Sequence, residues 1–276
     1  MKNTILSIFS GMMLGTLLVI GVFTVLYFQS SDSVVLAQSM PGEKRENSDL
    51  SEFALNITAD IKVGVQEAFV IIDDMRAEAV AKEEAKKEEL ARKAEEARLA
   101  EEARIAALPY LIRVNRLANC VTIYSKDSSG QYTIPIKAMV CSVGLDDGTP
   151  LENGQITDKY DWRLLFGNVY GQYAVRFNGH IMFHSVPYMA TTKDSLKEGQ
   201  YNLLGQPASQ GCIRLSVVDA KWIYDNCDRG TKVEVYDSAD PGPLGKPVSI
   251  QIDPNSIYKG WDPTDPDPAN PWNMAG

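Results

Sequence analysis

A cysteine in a short polar turn is the residue of this chain best placed for chemistry. Cys212 follows Ser209-Gln210-Gly211 and precedes Ile213-Arg214, and the two histidines, His180 and His184, lie upstream. A thiol needs a nearby base to act as a nucleophile at neutral pH. The residues alone therefore predict a cysteine–histidine acyl-transfer site, although a cysteine considered by itself is more often a buried packing residue.

His184 is the preferred base over His180. On one β-strand the two histidines would be separated by about 13 Å at ~3.3 Å per residue. They could not both reach Cys212, nor could they both bind one metal ion. Acyl transfer through a thioester needs no metal and no organic cofactor, so we expect none.

The charge of the chain argues against a nucleic-acid partner. Its 276 residues carry a net charge of −9, and residues 110–276 contain 15 Lys or Arg against 18 Asp or Glu. Binding to nucleic acid requires a basic surface that neutralises phosphates. The length is sufficient for one sizeable domain with extensions.

Residues 1–30 contain an apolar segment long enough to span a membrane. Ile5–Phe28 is apolar, and no charged residue lies between Lys2 and Asp32. At ~1.5 Å per residue a helix of this length crosses the hydrocarbon core. We expect a single-pass anchor with a cytoplasmic N-terminus and the rest of the chain outside the membrane. A signal peptide cleaved near Val35-Leu36-Ala37 is the alternative.

Residues 75–108 are predicted to form a charged helical spacer, after a linker at 31–74 that holds a short helix. Pairs such as Glu83 and Lys87 are four residues apart, as on one face of a helix. The few large apolar residues do not keep a heptad repeat, which favours a spacer over a dimerisation stalk. Self-association or contact with another protein through this helix stays open. Pro109 ends the helix.

Residues 110–237 have the pattern of a mainly β domain. Cys120–Tyr124 and Tyr132–Ile136 alternate in the manner of strands and flank a turn, which predicts a hairpin. Val217–Asn226 is the clearest helix. Residues 238–276 form a tail rich in proline and aspartate.

Several motifs of this domain, taken in order, are similar to those of the L,D-transpeptidase catalytic domains, often called YkuD-like. The resemblance covers residues 111–236 and implies a β-sandwich with one or two short helices. The ending at 260–266 resembles that of clostridial-type, membrane-anchored members. The motifs that carry the resemblance are Asn119–Tyr124, Pro135–Ser142, Thr149-Pro150, Val169–Tyr173, Phe183–Tyr188, Ser209–Leu215 and Asp219–Asn226.

The resemblance implies an enzyme that faces the cell wall and forms 3-3 cross-links between peptidoglycan stem peptides. Cys212 would form the thioester acyl-enzyme, which carbapenems would also acylate, and His184 would act as the base. Ser185 would support the histidine. The backbone N–H groups of Gly211 and Cys212 would face the oxyanion.

Substrate-binding and orienting roles are also implied for residues near the cysteine. Arg214 stands where asparagine is common and is expected to hold a stem carboxylate. Ser209 and Tyr188 are expected to contact substrate. Gln210 replaces the usual histidine, and an amide can orient a partner but cannot shuttle a proton.

Three points stay open at the level of sequence. Gln210 raises the alternative of a catalytically weak or inactive wall-binding or scaffold protein with the same fold. Cys120 and Cys141 could form a disulfide or remain reduced packing thiols. Met189–Pro207 is longer than the corresponding segment of most relatives, which we interpret as a polar lid over the active site.

Overall fold

The computed structural model describes residues 47–274, and side chains for residues 55–273. The helices are α1 (Asn47–Ala107), α2 (Glu198–Tyr201) and α3 (Val217–Asn226), with a 3-10 turn at Pro271–Met274. The strands are β1 (Tyr110–Asn115), β2 (Cys120–Lys126), β3 (Tyr132–Val140), β4 (Gly154–Gln155), β5 (Lys159–Leu165), β6 (Val169–Asn178), β7 (Ile181–Ser185), β8 (Ile213–Leu215) and β9 (Lys232–Tyr236).

Helix α1 begins earlier than the sequence interpretation placed it. It has 61 residues and includes much of the segment at 31–74 that we interpreted as a linker with a short helix. The physical reason is composition, because residues 47–107 contain no proline and Gly64 is their one glycine. Ion pairs three or four residues apart, such as Glu89 with Lys93, line its exposed surface.

The predicted membrane anchor at 1–30 lies outside the described residues. Within residues 47–274, no helix combines the length and the apolar character needed to cross a membrane.

Two sheets share one hydrophobic core. The first has the strand order β3-β2-β1-β9-β4 and the second has the order β5-β6-β7-β8. Ile112 and Ile123 of the first sheet and Phe183 and Ile213 of the second are completely buried in this core, together with Ile223 of α3. The structure confirms a mainly β domain with few short helices, and β2 and β3 form the predicted hairpin.

The pairing of β7 with β8 positions the predicted catalytic residues. These strands run parallel, with Phe183 opposite Ile213 and His184 opposite Arg214. Cys212 directly precedes β8. Two segments almost 30 residues apart along the chain therefore meet at one edge of the second sheet.

The segment Met189–Pro207 is not a free polar lid, which corrects the sequence interpretation. Leu196, Tyr201 and Leu204 are buried and pack with Ile252 of the tail in a second core cluster. These apolar side chains are interspersed with polar ones along the segment. Their burial stabilises the packed segment, while the polar neighbours stay at least partly exposed.

A buried carboxylate fixes the C-terminal tail to the domain. Asp262 is fully buried, and its Oδ2 accepts a 2.9 Å hydrogen bond from the backbone N–H of Val217, at the start of α3. Its Oδ1 accepts hydrogen bonds from the N–H and hydroxyl of Thr264. Burial raises the pKa of Asp262 to about 6. The tail is therefore an integral part of the domain.

We predict that Asp262→Ala lowers the free energy of unfolding by about 1–3 kcal/mol, because one buried and two partly buried donors lose their acceptor. Urea denaturation followed by circular dichroism measures this change. Asp253→Ala is the matched control, since Asp253 is exposed and accepts one N–H, from Asn255, within the tail. Equal midpoints for the two variants would contradict the anchoring role of Asp262.

Candidate active site

One pocket contains most of the residues that the sequence singled out. Its volume is about 320 Å³, and it lies where the β5–β6 hairpin approaches β7 and β8. Cys212, His184, Gln210, Ser209 and Arg214 all line it. The remaining lining residues are Arg163, Leu164, Leu165, Phe166, Val169, Arg176, His180, Ile181, Met182 and Pro187.

The imidazole of His184 is held in one tautomer. Its Nδ1 lies 2.6 Å from the backbone oxygen of Ser185, and His184 is only 2% exposed. A carbonyl oxygen can only accept, so Nδ1 carries the proton and donates it. The other ring nitrogen, Nε2, is then unprotonated and able to act as a base.

Burial keeps this imidazole neutral. The pKa of His184 is lowered to about 4, chiefly by burial; the hydrogen bond to Ser185 opposes this shift, and the nearby charge of Arg214 adds to it. At neutral pH the ring is therefore a neutral base rather than an imidazolium cation.

The ring of His184 packs on bare backbone at Gly171 of β6. A Cβ at position 171 would lie 2.9 Å from both Cγ and Nδ1 of the ring. Every other residue type would therefore displace the imidazole. Gly171 falls in one of the family-like motifs, but no sequence pattern connects it with His184.

Ser185 supports His184 through its backbone rather than its side chain. Its hydroxyl accepts the N–H of Gln172 at 2.8 Å and donates to the carbonyl of Val186 at 2.9 Å. The hydroxyl thus stabilises the end of β7 against β6, and the carbonyl of the same residue orients the imidazole.

The thiol of Cys212 is partly exposed, and its hydrogen bond is to a carbonyl. The Sγ atom lies 3.9 Å from the backbone oxygen of His180, rather than in a hydrogen bond with the His184 ring. Burial raises the pKa of the Cys212 thiol, although the N–H of Met182 and the charges of Arg214 and Arg176 oppose this effect. The resting pair is therefore a thiol and a neutral imidazole.

His180 does not lie on a strand with His184, as the sequence interpretation assumed. It is an exposed residue in the turn between β6 and β7. Its side chain borders the pocket while its carbonyl contacts the thiol. The β6–β7 turn interrupts the strand pattern on which the expectation rested.

The turn before Cys212 is closed by Ser209. Its buried hydroxyl donates to the carbonyl of Cys212 at 2.6 Å and accepts the N–H of Gly211 at 2.9 Å. Both bonds stay within the turn, so Ser209 positions the cysteine and its hydroxyl proton is already engaged. The N–H of Gly211 is engaged within the turn as well, so of the two predicted oxyanion donors the N–H of Cys212 is the better candidate.

Thr149 fastens the same turn from the other side. Its buried hydroxyl donates to the carbonyl of Gly211 at 2.7 Å and accepts the N–H of Gly144 at 2.8 Å. Gly211 has a φ of +141°, and a Cβ there would lie 2.7 Å from the carbonyl oxygen of Gly148. Only glycine fits this close approach of two backbones. Thr149 falls in one of the family-like motifs, but its sequence neighbours do not indicate this role.

Arg214 is held by neutral partners and has no counterion in the described part of the chain. Its Nη1 donates to the side-chain oxygen of Gln200 at 2.6 Å and to the carbonyl of Ala208 at 2.7 Å. Its Nε is buried without a hydrogen-bond partner. A partly buried cation arranged in this way is suited to an incoming carboxylate.

Tyr188 and Gln210 occupy opposite environments. Tyr188 is fully buried in the second core cluster, edge-on to Trp162 with ring centroids 5.2 Å apart, and it does not line the pocket. The structure therefore places Tyr188 in the core, apart from the predicted site residues that line the pocket. Gln210 is exposed at the rim, where its amide faces the pocket.

The other three cysteines are free and buried. Cys120 and Cys141 form no disulfide, which leaves the reduced alternative as the one the structure shows. Burial raises the pKa of Cys227 to about 12 and also raises those of Cys120 and Cys141. Cys212 is thus the one thiol of the chain that combines exposure with a place in a pocket.

Part of the chain is similar in sequence to known proteins. A model of the YkuD family, the L,D-transpeptidase catalytic domain, matches residues 109–235. The protein YciB of Bacillus subtilis (strain 168) is 37% identical over 108 residues, which are 36% of this chain and 55% of YciB, so the chain spans about half the length of that relative.

Solved structures give similar matches to the same part of the chain. An L,D-transpeptidase from Mycobacterium smegmatis is 21% identical, with 46% of this chain and 58% of that chain covered and a TM-score of 0.38. A fused zinc-dependent amidase/peptidase from Clostridium acetobutylicum is 24% identical, with 46% and 52% covered and a TM-score of 0.36. On the evidence of the family model and of its motifs, the domain at residues 109–235 belongs to the YkuD family of L,D-transpeptidase catalytic domains.

Proposed function

We propose that this domain is a cysteine-dependent L,D-transpeptidase that forms 3-3 cross-links between peptidoglycan stem peptides. The observation that carries the proposal is the pairing, in one pocket, of the partly exposed thiol of Cys212 with a neutral His184 whose Nε2 is free to accept a proton. Family membership supplies the substrate class. The apolar segment at 1–30 supports a membrane-anchored protein whose domain faces the cell wall.

The acylation step follows from the two neutral groups. As Sγ of Cys212 attacks the carbonyl carbon of the third stem residue, its proton passes to Nε2 of His184. The N–H of Cys212 faces the resulting oxyanion. Collapse breaks the peptide bond, and His184 returns the proton to the departing amine of D-alanine. A thioester on Cys212 remains.

The second step uses the same base in the same way. The side-chain amine of an acceptor stem attacks the thioester carbonyl and loses a proton to Nε2 of His184. Sγ leaves and takes that proton back, so the thiol is regenerated and one amide bond has formed. For either step the thiol must turn from the carbonyl of His180 toward the imidazole.

A wall-binding or scaffold protein with little activity is the second candidate function. Two observations favour it: Gln210 stands where relatives have histidine, and the hydrogen bond of the Cys212 thiol is to a carbonyl rather than to the base. The two candidates differ in whether the thiol accepts an acyl group.

Intact-mass analysis of the full-length protein after incubation with a carbapenem distinguishes them. We expect one covalent adduct on the wild type, none on Cys212→Ala, and adduct formation slowed about 10²–10⁴-fold in His184→Ala, the range for removal of a general base. The buried cysteines serve as internal controls. A folded wild type that forms no adduct would favour the wall-binding protein.

Gly171→Ala should slow the same acylation by about 10²-fold, because the new Cβ pushes the His184 ring away from its productive position. Gly199→Ala is the matched control, since a Cβ at Gly199 meets no atom within 4 Å. The rate of carbapenem adduct formation measures the effect. A rate equal to that of Gly199→Ala would show that the close contact with the ring does not position it.

As the pH is lowered, the rate of acylation should fall near pH 4 rather than near pH 6.5; this fall is the acid limb of the pH profile. Nε2 accepts a proton only while the imidazole is neutral, and burial lowers the pKa of His184 to about 4. The rate constant for acylation, measured between pH 3.5 and 8, should therefore hold a plateau down to about pH 5. Arg214→Gln removes a nearby positive charge and should move the limb to higher pH. A wild-type limb near 6.5 would mean that the ring is solvated.

A further inference from the structure

The pocket around Cys212 has a one-sided charge. Arg163, Arg176 and Arg214 line it together with both histidines, and none of its lining residues is an aspartate or a glutamate. Acyl transfer through a thioester needs one base and one oxyanion donor. None of the three guanidinium groups is therefore needed as a reactant.

Two of these guanidinium groups contact the same tyrosine. The Cζ atom of Arg163 lies 4.7 Å from the centroid of the Tyr160 ring, and Nη2 of Arg176 lies 3.5 Å from the hydroxyl of the same ring. Like charges repel unless an anion lies between or beside them. Tyr160 thus contacts two cations that line the pocket, Arg163 and Arg176, named here the Arg163–Arg176 pair.

The charges of this pair are only partly balanced within the described part of the chain. Arg176 has one acidic neighbour, Asp158, at 3.4 Å, and the carboxylate side chain is 49% exposed and outside the pocket lining. Arg163 is exposed and forms no ion pair there. The Arg163–Arg176 pair therefore presents excess positive charge to any molecule in the pocket.

Arg214 forms a second cationic position, next to the cysteine. It is tied to neutral oxygens of Gln200 and Ala208, and its Nε is buried without a partner. These partners carry no charge, so an incoming carboxylate would meet a guanidinium group that has no ion pair within the described residues. The two positions are built differently, since Arg214 extends from β8 while Arg163 and Arg176 extend from β5 and β6.

We propose that the pocket binds its acyl donor through two separate carboxylates, one at Arg214 and one at the Arg163–Arg176 pair. This rests on the proposed function and specifies its substrate: the donor is a stem peptide with a free carboxylate in addition to the one at its C-terminus. A donor whose side carboxyl groups are amidated leaves guanidinium groups unpaired and binds more weakly.

Donor binding is measured on the full-length Cys212→Ala protein, which cannot be acylated, so that affinity is separated from chemistry. The probes are a tetrapeptide stem with diaminopimelate at position three and D-alanine at position four, in two forms. One form has free side carboxyl groups and the other has them amidated. Isothermal titration calorimetry should show the free acid binding at least tenfold more tightly, with a difference that shrinks as salt is added.

In the Cys212→Ala protein, Arg163→Gln should lower the affinity for the free acid about five- to tenfold. It should leave the affinity for the amidated form nearly unchanged. Arg113→Gln is the matched control, because Arg113 also stacks over tyrosine rings, those of Tyr124 and Tyr236, but lies outside the pocket. We expect it to bind both peptides as the parent protein does. Circular dichroism verifies that each variant is folded.

Equal affinity for the two peptides, or equal loss in Arg163→Gln and Arg113→Gln, would overturn the two-carboxylate proposal. That failure is distinct from failure of the transpeptidase proposal. If the wild type forms the carbapenem adduct but does not distinguish the two peptides, only the assignment of the arginines is wrong. If it forms no adduct but prefers the free acid, the pocket binds stem carboxylates without catalysis.

Discussion

The parallel pairing of β7 with β8 is the constraint on which the site depends. It places His184 opposite Arg214, and with them the thiol of Cys212, which precedes β8 by one residue. A shift of one residue would turn every side chain of β8 to the other face of the sheet. The buried neighbours Phe183 and Ile213 oppose such a shift, since each would lose its place in the core. The energy that fixes the catalytic geometry is therefore hydrophobic.

The chemistry of the site follows from how little water reaches it. Burial keeps His184 neutral and Cys212 protonated, so neither group is charged before the substrate binds. Hydrogen bonds from Ser209 and Thr149 then limit the freedom of the turn that carries the thiol. A rigid turn and an uncharged pair suit a proton transfer that occurs during attack, rather than a thiolate formed in advance.

The sequence predicted the elements better than the contacts between them. Strand alternation and turn residues gave the hairpin of β2 and β3, and the order of the motifs gave the family. The hydrogen-bond partners of a hydroxyl leave no pattern in the local sequence. The bonds of Ser209 within its own turn therefore could not be predicted from its neighbours. The substrate contact expected of Tyr188 came from its place in a family-like motif, and a motif does not say whether a side chain faces a pocket or the core. Gly171 contacts the His184 ring from the neighbouring strand, and such a contact depends on strand pairing rather than on local sequence.

The junction between α1 and the domain shows how local bonds give a charged helix a defined end. The side chain of Arg104 donates to the carbonyl of Arg229, and the ammonium group of Lys126 donates to the carbonyl of Ala106. A Cβ at Gly230 would lie 2.8 Å from Ile105, so the last turn of the helix packs directly on backbone. The bond from Lys126 satisfies a carbonyl that the helix end leaves free. Together these contacts fix the last turn of the helix to the strands and turns that follow it.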